Sequence, residues 1–219
     1  WCIVGEPSSR SQLGDTIKNG RRGSINGSII FKGKQGHIAY PHLARNPIHS
    51  AMPALQALVR EKWDSGNQFF DPTSLQISNI RAGDGTTNLI PGNVEVLFNL
   101  RFSSEISAEA IKKRCESILN EHGVDFTLSW VLSGEPFLTK PGALLSAVQE
   151  SIVSVTGFNP EVSTGGGTSD GRFIAPTGAQ VVEIGHVNKT IHQCNEQVKL
   201  NDIALLTRIY ERIIGCLLA

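Results

Sequence analysis

The sequence predicts an α/β protein that carries a smaller α+β domain inserted into its chain. Towards both ends of the 219 residues, short apolar strands alternate with amphipathic helices, which is typical of an α/β layer with a parallel sheet. Between them the apolar pattern follows the order strand, helix, strand, strand, helix, strand, which is the split βαβ or ferredoxin-like arrangement. We therefore assign residues 1–21 and 136–219 to a partial α/β domain, and residues 22–135 to the inserted domain.

Each element of the inserted domain has its own sequence signal. Alternation of apolar residues predicts the strands, and apolar residues three and four apart predict the helices. Pro53 must lie in the first turn of its helix or kink it, and Ser107 is expected to cap the second helix. The predicted strands cover residues 24–33, 74–81, 93–102 and 124–130, and the predicted helices cover residues 47–64 and 107–123.

The elements of the α/β domain are shorter. A buried strand is expected at the first residue, Trp1, and we expect the chain to be a fragment whose preceding residues completed a sheet around that strand. Further strands are predicted near residues 160–164 and 180–184, and a helix near residues 142–156. A last helix starts near Asn201 and is expected to bury five apolar side chains, Ile203, Leu206, Tyr210, Ile213 and Leu217.

Composition and charge exclude several classes of protein. Lys plus Arg and Asp plus Glu both number 20 and the pI is about 7.2, so nothing favours nucleic acid or an anionic membrane as a partner. No apolar run approaches the roughly 18 residues of a membrane span. The four cysteines lack C-x-x-C spacing, which indicates neither a disulfide framework nor a zinc ribbon. We expect a cytoplasmic protein.

Two polar residues directly after predicted strands are candidate metal ligands. Glu6 follows the strand that begins at Trp1, and His192 lies in the loop after the strand at 180–184. Open α/β sheets bind ligands beyond the carboxyl ends of their strands, and carboxylate and imidazole are ligands that catalytic zinc accepts. A solvated loop glutamate and a solvated loop histidine remain the alternatives.

A glycine-rich loop over residues 165–173 is a second candidate, because three successive glycines let the backbone approach a ligand closely. The loop lacks the Gly-Lys-Ser/Thr ending of a phosphate loop, so nucleotide binding is disfavoured. The alternative interpretation is a tight turn in which Asp170 caps a helix.

Further candidates lie at the inserted domain. His37 could polarise a carbonyl oxygen or stabilise its oxyanion, although an exposed loop histidine is the alternative. Arg21, Arg22 and Arg101 carry planar guanidinium groups of the kind that bind carboxylates with two parallel hydrogen bonds. Paired arginines in a solvated hinge are the alternative.

Taken together, these segments resemble the M20 family of metallopeptidases and deacylases. The resemblance runs through essentially the whole chain, and its motifs occur in family order around the inserted domain. The motifs are Val4-Gly5-Glu6-Pro7, Asn19 to Ser24, Gly36 to His49, Asn88-Leu89-Ile90-Pro91, Thr164 to Phe173 and Thr190-Ile191-His192.

The resemblance implies a zinc-peptidase-like catalytic domain, an inserted dimerisation domain and a homodimer that hydrolyses a small succinylated diamino acid. It implies two Zn²⁺ ions per subunit, for which Co²⁺ can substitute, with Glu6 a ligand of one and His192 of the other. His37 is implied to stabilise the oxyanion in the partner subunit. The implied substrate contacts are Arg21, Ser24, Asn88, Arg101 and Thr168.

The sequence departs from the family at the metal site. The family's other histidine, its bridging aspartate and its Glu-Glu pair have no counterpart in these residues. Because catalytic zinc usually needs three protein ligands, we expect the chain by itself to be inactive. Two alternatives stay open: another deacylase of the same family, of the acetylornithine deacetylase or aminoacylase type, and a non-catalytic fragment that dimerises and binds substrate.

Overall fold

The computed structural model describes residues 1–218 and divides them into two compact units. The first unit comprises Trp1–Arg22 and the chain from Pro136 onward, and the second comprises Gly23–Glu135. The sequence-based boundary lies one residue earlier, between residues 21 and 22. The last residue of the predicted α/β domain, Ala219, lies outside the described residues.

Strands and helices follow one another along both units. The strands are β1 (Cys2–Val4), β2 (Thr16–Lys18), β3 (Gly20–Arg21), β4 (Gly23–Lys32), β5 (Gly36–His37), β6 (Ser74–Ala82), β7 (Leu89–Ile90), β8 (Asn93–Phe102), β9 (Phe126–Gly134), β10 (Phe137–Leu138), β11 (Glu161–Ser163) and β12 (Val181–Glu183). The helices are α1 (Pro47–Arg60), α2 (Ala108–Glu121), α3 (Ala143–Thr156), α4 (Gly171–Ile174) and α5 (Leu200–Leu218), with 3₁₀ turns at Pro41–Leu43 and Ala175–Thr177.

The second unit has the predicted split βαβ arrangement. Its antiparallel sheet has the strand order β6-β8-β4-β9, and α1 and α2 pack on one face. Alternate residues of β8 are fully or nearly fully buried, because the pleat directs every second side chain towards the helices. The core therefore consists of one sheet face and two helix stripes, which include Ile29, Phe98, Leu58 and Ile111.

The two helices of this unit have side-chain caps at their N-termini. The Oδ1 of Asn46 accepts a hydrogen bond from the amide of Ile48 at 2.9 Å, and the Oγ of Ser107 accepts one from Ala110 at 3.2 Å, as predicted for Ser107. Both bonds satisfy amides that have no partner within the helix. Of the two alternatives for Pro53, a place in the first turn is excluded, because α1 begins at Pro47 and Pro53 lies inside the helix.

The first unit contains a mixed sheet, whereas the sequence predicted a parallel one. The strand order is β1-β12-β2-β11, in which β1 pairs parallel with β12 and β2 parallel with β11. The central pair, β12 and β2, is antiparallel. Strand β2 was not predicted, because its three residues include Thr16 and Lys18 and therefore do not form an apolar run.

Helices α3 and α5 pack against each other and against this sheet. In α5 the fully buried residues are Ile209 and Ile213, flanked by Leu206, Tyr210 and Leu217, as the periodicity predicts. Ile203 in the first turn is 49% exposed, so its predicted burial was wrong. Among residues 1–218, none of the helices has both the length and the apolar character needed to cross a bilayer.

The predicted buried strand at the chain start is a half-buried edge strand. Strand β1 is hydrogen-bonded only to β12 within the described residues, and Trp1 is 60% exposed. The apolar composition of Cys2–Val4 therefore predicted the strand correctly but overestimated how much of it is buried.

Candidate functional site

A cavity of about 340 Å³ lies at one edge of the sheet in the first unit. Glu6 follows β1 and His192 follows β12, and these two strands are parallel neighbours. The carboxyl ends of parallel neighbours point the same way, so both side chains reach the same cavity. The lining residues are Glu6, Pro7, Lys18, Arg21, Gly165, Gly166, Gly167, Thr168, Asn188, Ile191 and His192.

The loop that carries His192 has an unusual backbone conformation. His192 has a φ of +59° and Asn195 a φ of +62°, both in the left-handed region. Such conformations are uncommon outside glycine and tend to persist where the surroundings hold them. Here two turns hold the loop: the amide of Ile191 donates to the carbonyl of Asn188 at 3.0 Å, and that of Gln193 donates to Thr190 at 3.1 Å.

Glu6 and His192 are suitable metal ligands, but two protein ligands are fewer than a catalytic zinc site usually has. Within residues 1–218 there is no group of three or more His, Cys, Asp or Glu side chains placed to hold a metal ion. Catalytic zinc usually takes three protein ligands and a water molecule. The chemistry of both side chains fits a metal, whereas their number leaves the ligand set of this chain incomplete.

A buried ion pair lies beneath the cavity. Glu183 at the end of β12 is fully buried, and its Oε2 accepts hydrogen bonds from the Nε of Arg21, at 2.8 Å, and from Nη2. The Oγ of Ser169 donates to the other carboxylate oxygen. Arg21, predicted as a substrate contact, thus lines the cavity while its guanidinium is paired with Glu183.

Glu183 is not among the residues predicted from the sequence, although a signal for it exists. An acidic residue within the otherwise apolar run Val181 to Ile184 is rarely buried without a partner. That pattern indicates a buried carboxylate and therefore a buried cation elsewhere in the chain. The cation could not be identified from the sequence, because Arg21 lies 162 residues away.

The same ion pair holds the glycine-rich loop in place. The Nη1 of Arg21 donates to the carbonyl of Gly165 at 3.0 Å. Gly166 has a φ of +106°, and a Cβ there would overlap Nη1 of Arg21, so this position requires glycine. Thr168 is half-buried and lines the cavity.

Asp170 occupies the N-cap position of α4, but its side chain makes no capping hydrogen bond. Instead, the Oγ of Ser169 accepts a hydrogen bond from the amide of Gly171 at 3.3 Å. Asp170 therefore occupies the cap position that the alternative interpretation gave it, whereas Ser169 supplies the side-chain hydrogen bond. Ser169 contacts both Glu183 and the start of α4, which links the loop to the sheet.

Lys18 is a second cation at the cavity, and it was not predicted from the sequence. Lys18 lies in β2 between β11 and β12, and only 8% of its surface is exposed. Its Nζ donates to the Oγ of Ser163 at 3.1 Å. Burial lowers the pKa of the Lys18 ammonium below its usual value, and the neighbouring Arg21 guanidinium lowers it further.

Within the second unit, His37 and Asn88 are brought together. Strand β5 pairs with β7, and the amide of Ile38 donates to the carbonyl of Asn88 at 3.0 Å. The Nδ1 of His37 accepts a hydrogen bond from the amide of Ala39 at 3.1 Å. A neutral imidazole that accepts at Nδ1 carries its proton on Nε2, so exposed His37 presents an N–H donor.

Ser24 and Arg101 form a second pair in the same unit. They are directly opposite each other in the ladder between β4 and β8. Ser24 is 2% exposed and its Oγ accepts a hydrogen bond from the Nδ2 of Asn99 at 3.0 Å, while Arg101 is half-buried. The predicted substrate contacts of the inserted domain therefore lie at two places within it.

Comparisons with known proteins give one family model and several solved structures of similar fold. Residues 19–127 match the model of a peptidase dimerisation domain, the dimerisation domain of M20 peptidases. Similar folds occur in the aminopeptidase PepT of Bacillus cereus, with a TM-score of 0.82, 19% identity and coverage of 99% of this chain and 57% of that one. An M20 metallo-carboxypeptidase of Sulfolobus solfataricus has a TM-score of 0.76, 16% identity and coverage of 92% and 60%.

Residues 19–127 therefore match the dimerisation domain of M20 peptidases, and similarity to known proteins extends over the whole chain. Among curated proteins, the chain is 61% identical over 218 residues to the succinyl-diaminopimelate desuccinylase of Hahella chejuensis. It is 59% identical over 219 residues to the enzyme of the same name from Acinetobacter baumannii. Both alignments cover 100% of this chain, which spans 57% and 58% of the length of these relatives.

Proposed function

We propose that this chain is part of a metal-dependent amide hydrolase that cleaves N-succinyl-LL-diaminopimelate to succinate and LL-diaminopimelate, a step of lysine biosynthesis. The observation that carries the proposal is the convergence of Glu6 and His192 on one cavity at the ends of neighbouring parallel strands. The whole-chain similarity to desuccinylases supports the choice of the acyl group.

In this proposal, Glu6 and His192 each hold one of two Zn²⁺ ions, and Co²⁺ can take their place. When bound, such a metal pair polarises the amide carbonyl and lowers the pKa of a bound water molecule. Residues 1–218 supply too few donors for a complete site. The chain by itself is therefore expected to be inactive, and a longer polypeptide that contains it is expected to be active.

The remaining site residues have the chemistry that a substrate rich in carboxylates requires. Thr168, Ser24 and Asn88 offer hydroxyl and amide donors, and Arg101 offers a guanidinium. Arg21 forms an ion pair with Glu183, and it also donates a hydrogen bond to the glycine-rich loop that carries Thr168. The Nε2–H of His37 suits the stabilisation of the tetrahedral oxyanion in a partner subunit.

Replacing His192 tests the proposed metal role. In a longer enzyme that contains this chain, His192→Ala is expected to lower kcat by at least about 100-fold, because a ligand of catalytic metal is removed. Metal analysis should show the loss of about one metal per chain. The matched control is His186→Ala, since His186 lies in the same unit but does not line the cavity. Equal activity of the two variants would contradict the proposal.

Substrate choice separates this proposal from the related deacylases. Hydrolysis of an acetylated amine in preference to the succinylated one would favour an acetylornithine deacetylase or an aminoacylase.

For the 219-residue chain alone, a metal-free dimer without activity would favour the alternative of a fragment that only dimerises and binds substrate, whereas two tightly bound metals would exclude that alternative.

We further propose that the second unit mediates a homodimer, through β6 and α1. Strand β6 is at the edge of its sheet, so one side of its nine-residue ladder is unpaired within the described residues. Next to the buried stripe of α1, a second apolar stripe contains Met52, Leu55 and Val59, of which Met52 is 60% and Val59 57% exposed. Ile80 on β6 is 59% exposed. A free strand edge beside exposed apolar side chains fits a second copy.

Charged substitutions on this surface test the dimer. Ile80→Lys and Met52→Lys are each expected to raise the dimer dissociation constant at least about 100-fold, because a charge would have to be buried between the copies. Analytical ultracentrifugation measures this change. Val131→Lys on the opposite edge strand β9 is the control, since Val131 is 66% exposed. Dissociation by the control alone would place the interface at β9 instead.

A further inference from the structure

Two consecutive buried serines follow Glu6 closely in the chain, and the function proposed above gives them no role. Ser8 is 2% exposed and Ser9 is fully buried. A buried hydroxyl without hydrogen bonds is costly, so each serine is expected to have partners. Both side chains bind the same residue, Gly185, which lies two residues after the end of β12. The serines therefore join the segment after β1 to the segment after β12.

The two hydroxyls satisfy both backbone groups of Gly185. The Oγ of Ser8 accepts a hydrogen bond from the Gly185 amide at 3.2 Å, and the Oγ of Ser9 donates one to the Gly185 carbonyl at 2.7 Å. Ser8 also donates to the carbonyl of Thr16 at 2.9 Å. Ser9 also accepts from the amide of Gly14 at 2.9 Å. Each hydroxyl thus donates one hydrogen bond and accepts another, which fixes its orientation.

These side-chain hydrogen bonds occur where the chain turns after β1. At the ends of β1 and β12, the amide of Ile184 donates to the carbonyl of Val4 at 3.1 Å. The chain then turns at Pro7, and the amide of Ser8 donates to the carbonyl of Glu6 at 2.7 Å. Proline has no amide hydrogen to offer to a neighbouring strand. The serine hydroxyls therefore hold the two segments together at the turn.

Beyond the turn, the backbone of Ser9 pairs with the loop that carries His192. The Ser9 amide donates to the carbonyl of His186 at 3.3 Å, and the Ser9 carbonyl accepts from the amide of Asn188 at 2.9 Å. Asn188 lines the cavity, and its carbonyl accepts from the amide of Ile191, the residue before His192. A continuous series of hydrogen bonds therefore runs from Ser9 to the residue next to His192.

The two segments approach each other closely at Gly185. A Cβ on Gly185 would overlap the carbonyl oxygen of Glu6. Because Glu6 and His192 line the same cavity, the spacing of these segments determines how far apart the two side chains are. The ions of a two-metal site lie about 3.5–4 Å apart, and a misplacement of about 1 Å can lower a rate roughly 100-fold. Such a site needs a fixed spacing of its ligands.

We propose that Ser8 and Ser9 are positioning residues, which set the distance between Glu6 and His192 so that these two side chains can hold a metal pair. The proposal rests on the function proposed above, because it requires both side chains to be metal ligands. Ser8 and Ser9 do not line the cavity, so they act through Gly185 and the loop after it. Removal of a group that orients metal ligands typically lowers metal affinity or activity about 10- to 100-fold.

The test measures metal binding and kinetics of a longer enzyme that contains this chain. Co²⁺ alone is titrated into the metal-free enzyme, and its visible absorption spectrum reports the number and the geometry of the bound ions. Ser9→Ala is expected to weaken Co²⁺ binding about 10- to 100-fold, to change the spectrum and to lower kcat about tenfold or more. KM should stay within about twofold, because the groups that bind the substrate are unchanged.

The matched control is Thr139→Val, which removes a buried hydroxyl that holds the opposite end of β12. Thr139 is 5% exposed, and its Oγ1 donates to the carbonyl of Val181 at 2.7 Å and accepts from the Val181 amide at 2.8 Å. Thr139→Val should lower the stability as Ser9→Ala does, but it should leave Co²⁺ binding and kcat unchanged. Equal effects of the two variants on Co²⁺ binding would indicate a purely structural role and overturn the inference.

Two further variants give the same comparison if Ser9→Ala does not fold. Ser8→Ala removes only the hydrogen bond to the amide of Gly185 and the one to Thr16. Ser9→Cys fills the site with a group that forms weaker hydrogen bonds. Failure of all three variants to fold would show that the serines serve the fold rather than the site, and it would overturn the inference.

The proposed hydrolase activity can fail independently of this result. Co²⁺ binding that depends on the serines, combined with no amide hydrolysis by the wild-type longer enzyme, would leave the positioning role and refute the reaction. Hydrolysis of the succinylated amide, combined with unchanged Co²⁺ binding in the serine variants, would do the reverse. Absence of Co²⁺ binding by the wild-type enzyme would overturn both.

Discussion

Replacement of Arg21 by methionine is expected to lower the free energy of unfolding of the first unit by about 3–5 kcal/mol. Methionine keeps much of the apolar stem but removes the charge that pairs with Glu183. Glu183 is fully buried, so its carboxylate would be left uncompensated in a poorly solvating environment. Urea unfolding followed by hydrogen exchange of the amides of α3 measures the change within this unit.

Two further variants make this prediction specific. Arg10→Met breaks an ion pair whose side chains are 53% and 55% exposed, and it should cost less than about 1 kcal/mol. The double variant Arg21→Met and Glu183→Met should recover much of the lost stability, because an apolar pair replaces a buried ion pair at little cost. Similar losses for Arg21→Met and Arg10→Met would contradict the assignment of Arg21 and Glu183 as a buried pair.

Replacement of Gly27 by alanine is expected to destabilise the second unit by about 2–3 kcal/mol. Gly27 is in the central strand β4, and a Cβ there would overlap the ring of Phe98. That ring packs edge-on against Trp130, with 5.4 Å between the ring centroids. Because Phe98 is 2% exposed, it cannot move without disturbing the core. The fluorescence of Trp63 and Trp130 reports unfolding of this unit.

The control for this prediction is Gly92→Ala, because a Cβ on Gly92 would meet its nearest neighbour, Gln35, at an ordinary 3.8 Å. This variant should change the free energy of unfolding by less than about 0.5 kcal/mol. Adding Phe98→Leu to Gly27→Ala should recover part of the loss, since the smaller side chain leaves room for the methyl group. A Gly27→Ala variant as stable as Gly92→Ala would contradict the close packing of Phe98 on Gly27.

Much of the second unit could be predicted from the sequence, because its elements are long and strictly periodic. Strand β8 alternates over ten residues, and α2 has a capping serine and a clear apolar stripe. The apolar pattern of each element predicts which of its faces is buried. Packing the two helices on the apolar face of the sheet then gives the two-layer architecture. The pattern left two positions open for Pro53, the first turn or the helix interior, and the structure places it in the interior.

The first unit could be predicted less well, because its strands are short and its buried polar groups depend on distant partners. Strand β2 has three residues, and its antiparallel pairing with β12 is not visible in a local pattern. Lys18 and Thr16 are buried although their residue types are usually exposed. Their burial follows from strands at residues 161–163 and 181–183, which lie far away in the chain.

The candidate site also contains some features that could be predicted from the sequence and others that could not. Residue type and position after a strand were sufficient to select Glu6 and His192, because the ends of parallel strands converge by geometry. Their role as metal ligands, and the roles of Arg101, Thr168 and His37, stay predictions. The partners of Arg21 and Lys18 were decided by tertiary structure, since an ion pair depends on distances that the local sequence does not contain.

The sequence by itself predicted the resemblance to the M20 family, the inserted domain and the two candidate donors at the strand ends, because these depend on local periodicity and on motifs in a particular order. Only the tertiary structure decided that Arg21 is paired with Glu183, whereas Lys18 is buried beside it without a counter-ion. The physical reason is that burial and charge pairing depend on how segments more than 140 residues apart meet, as Lys18 and Ser163 do at a separation of 145.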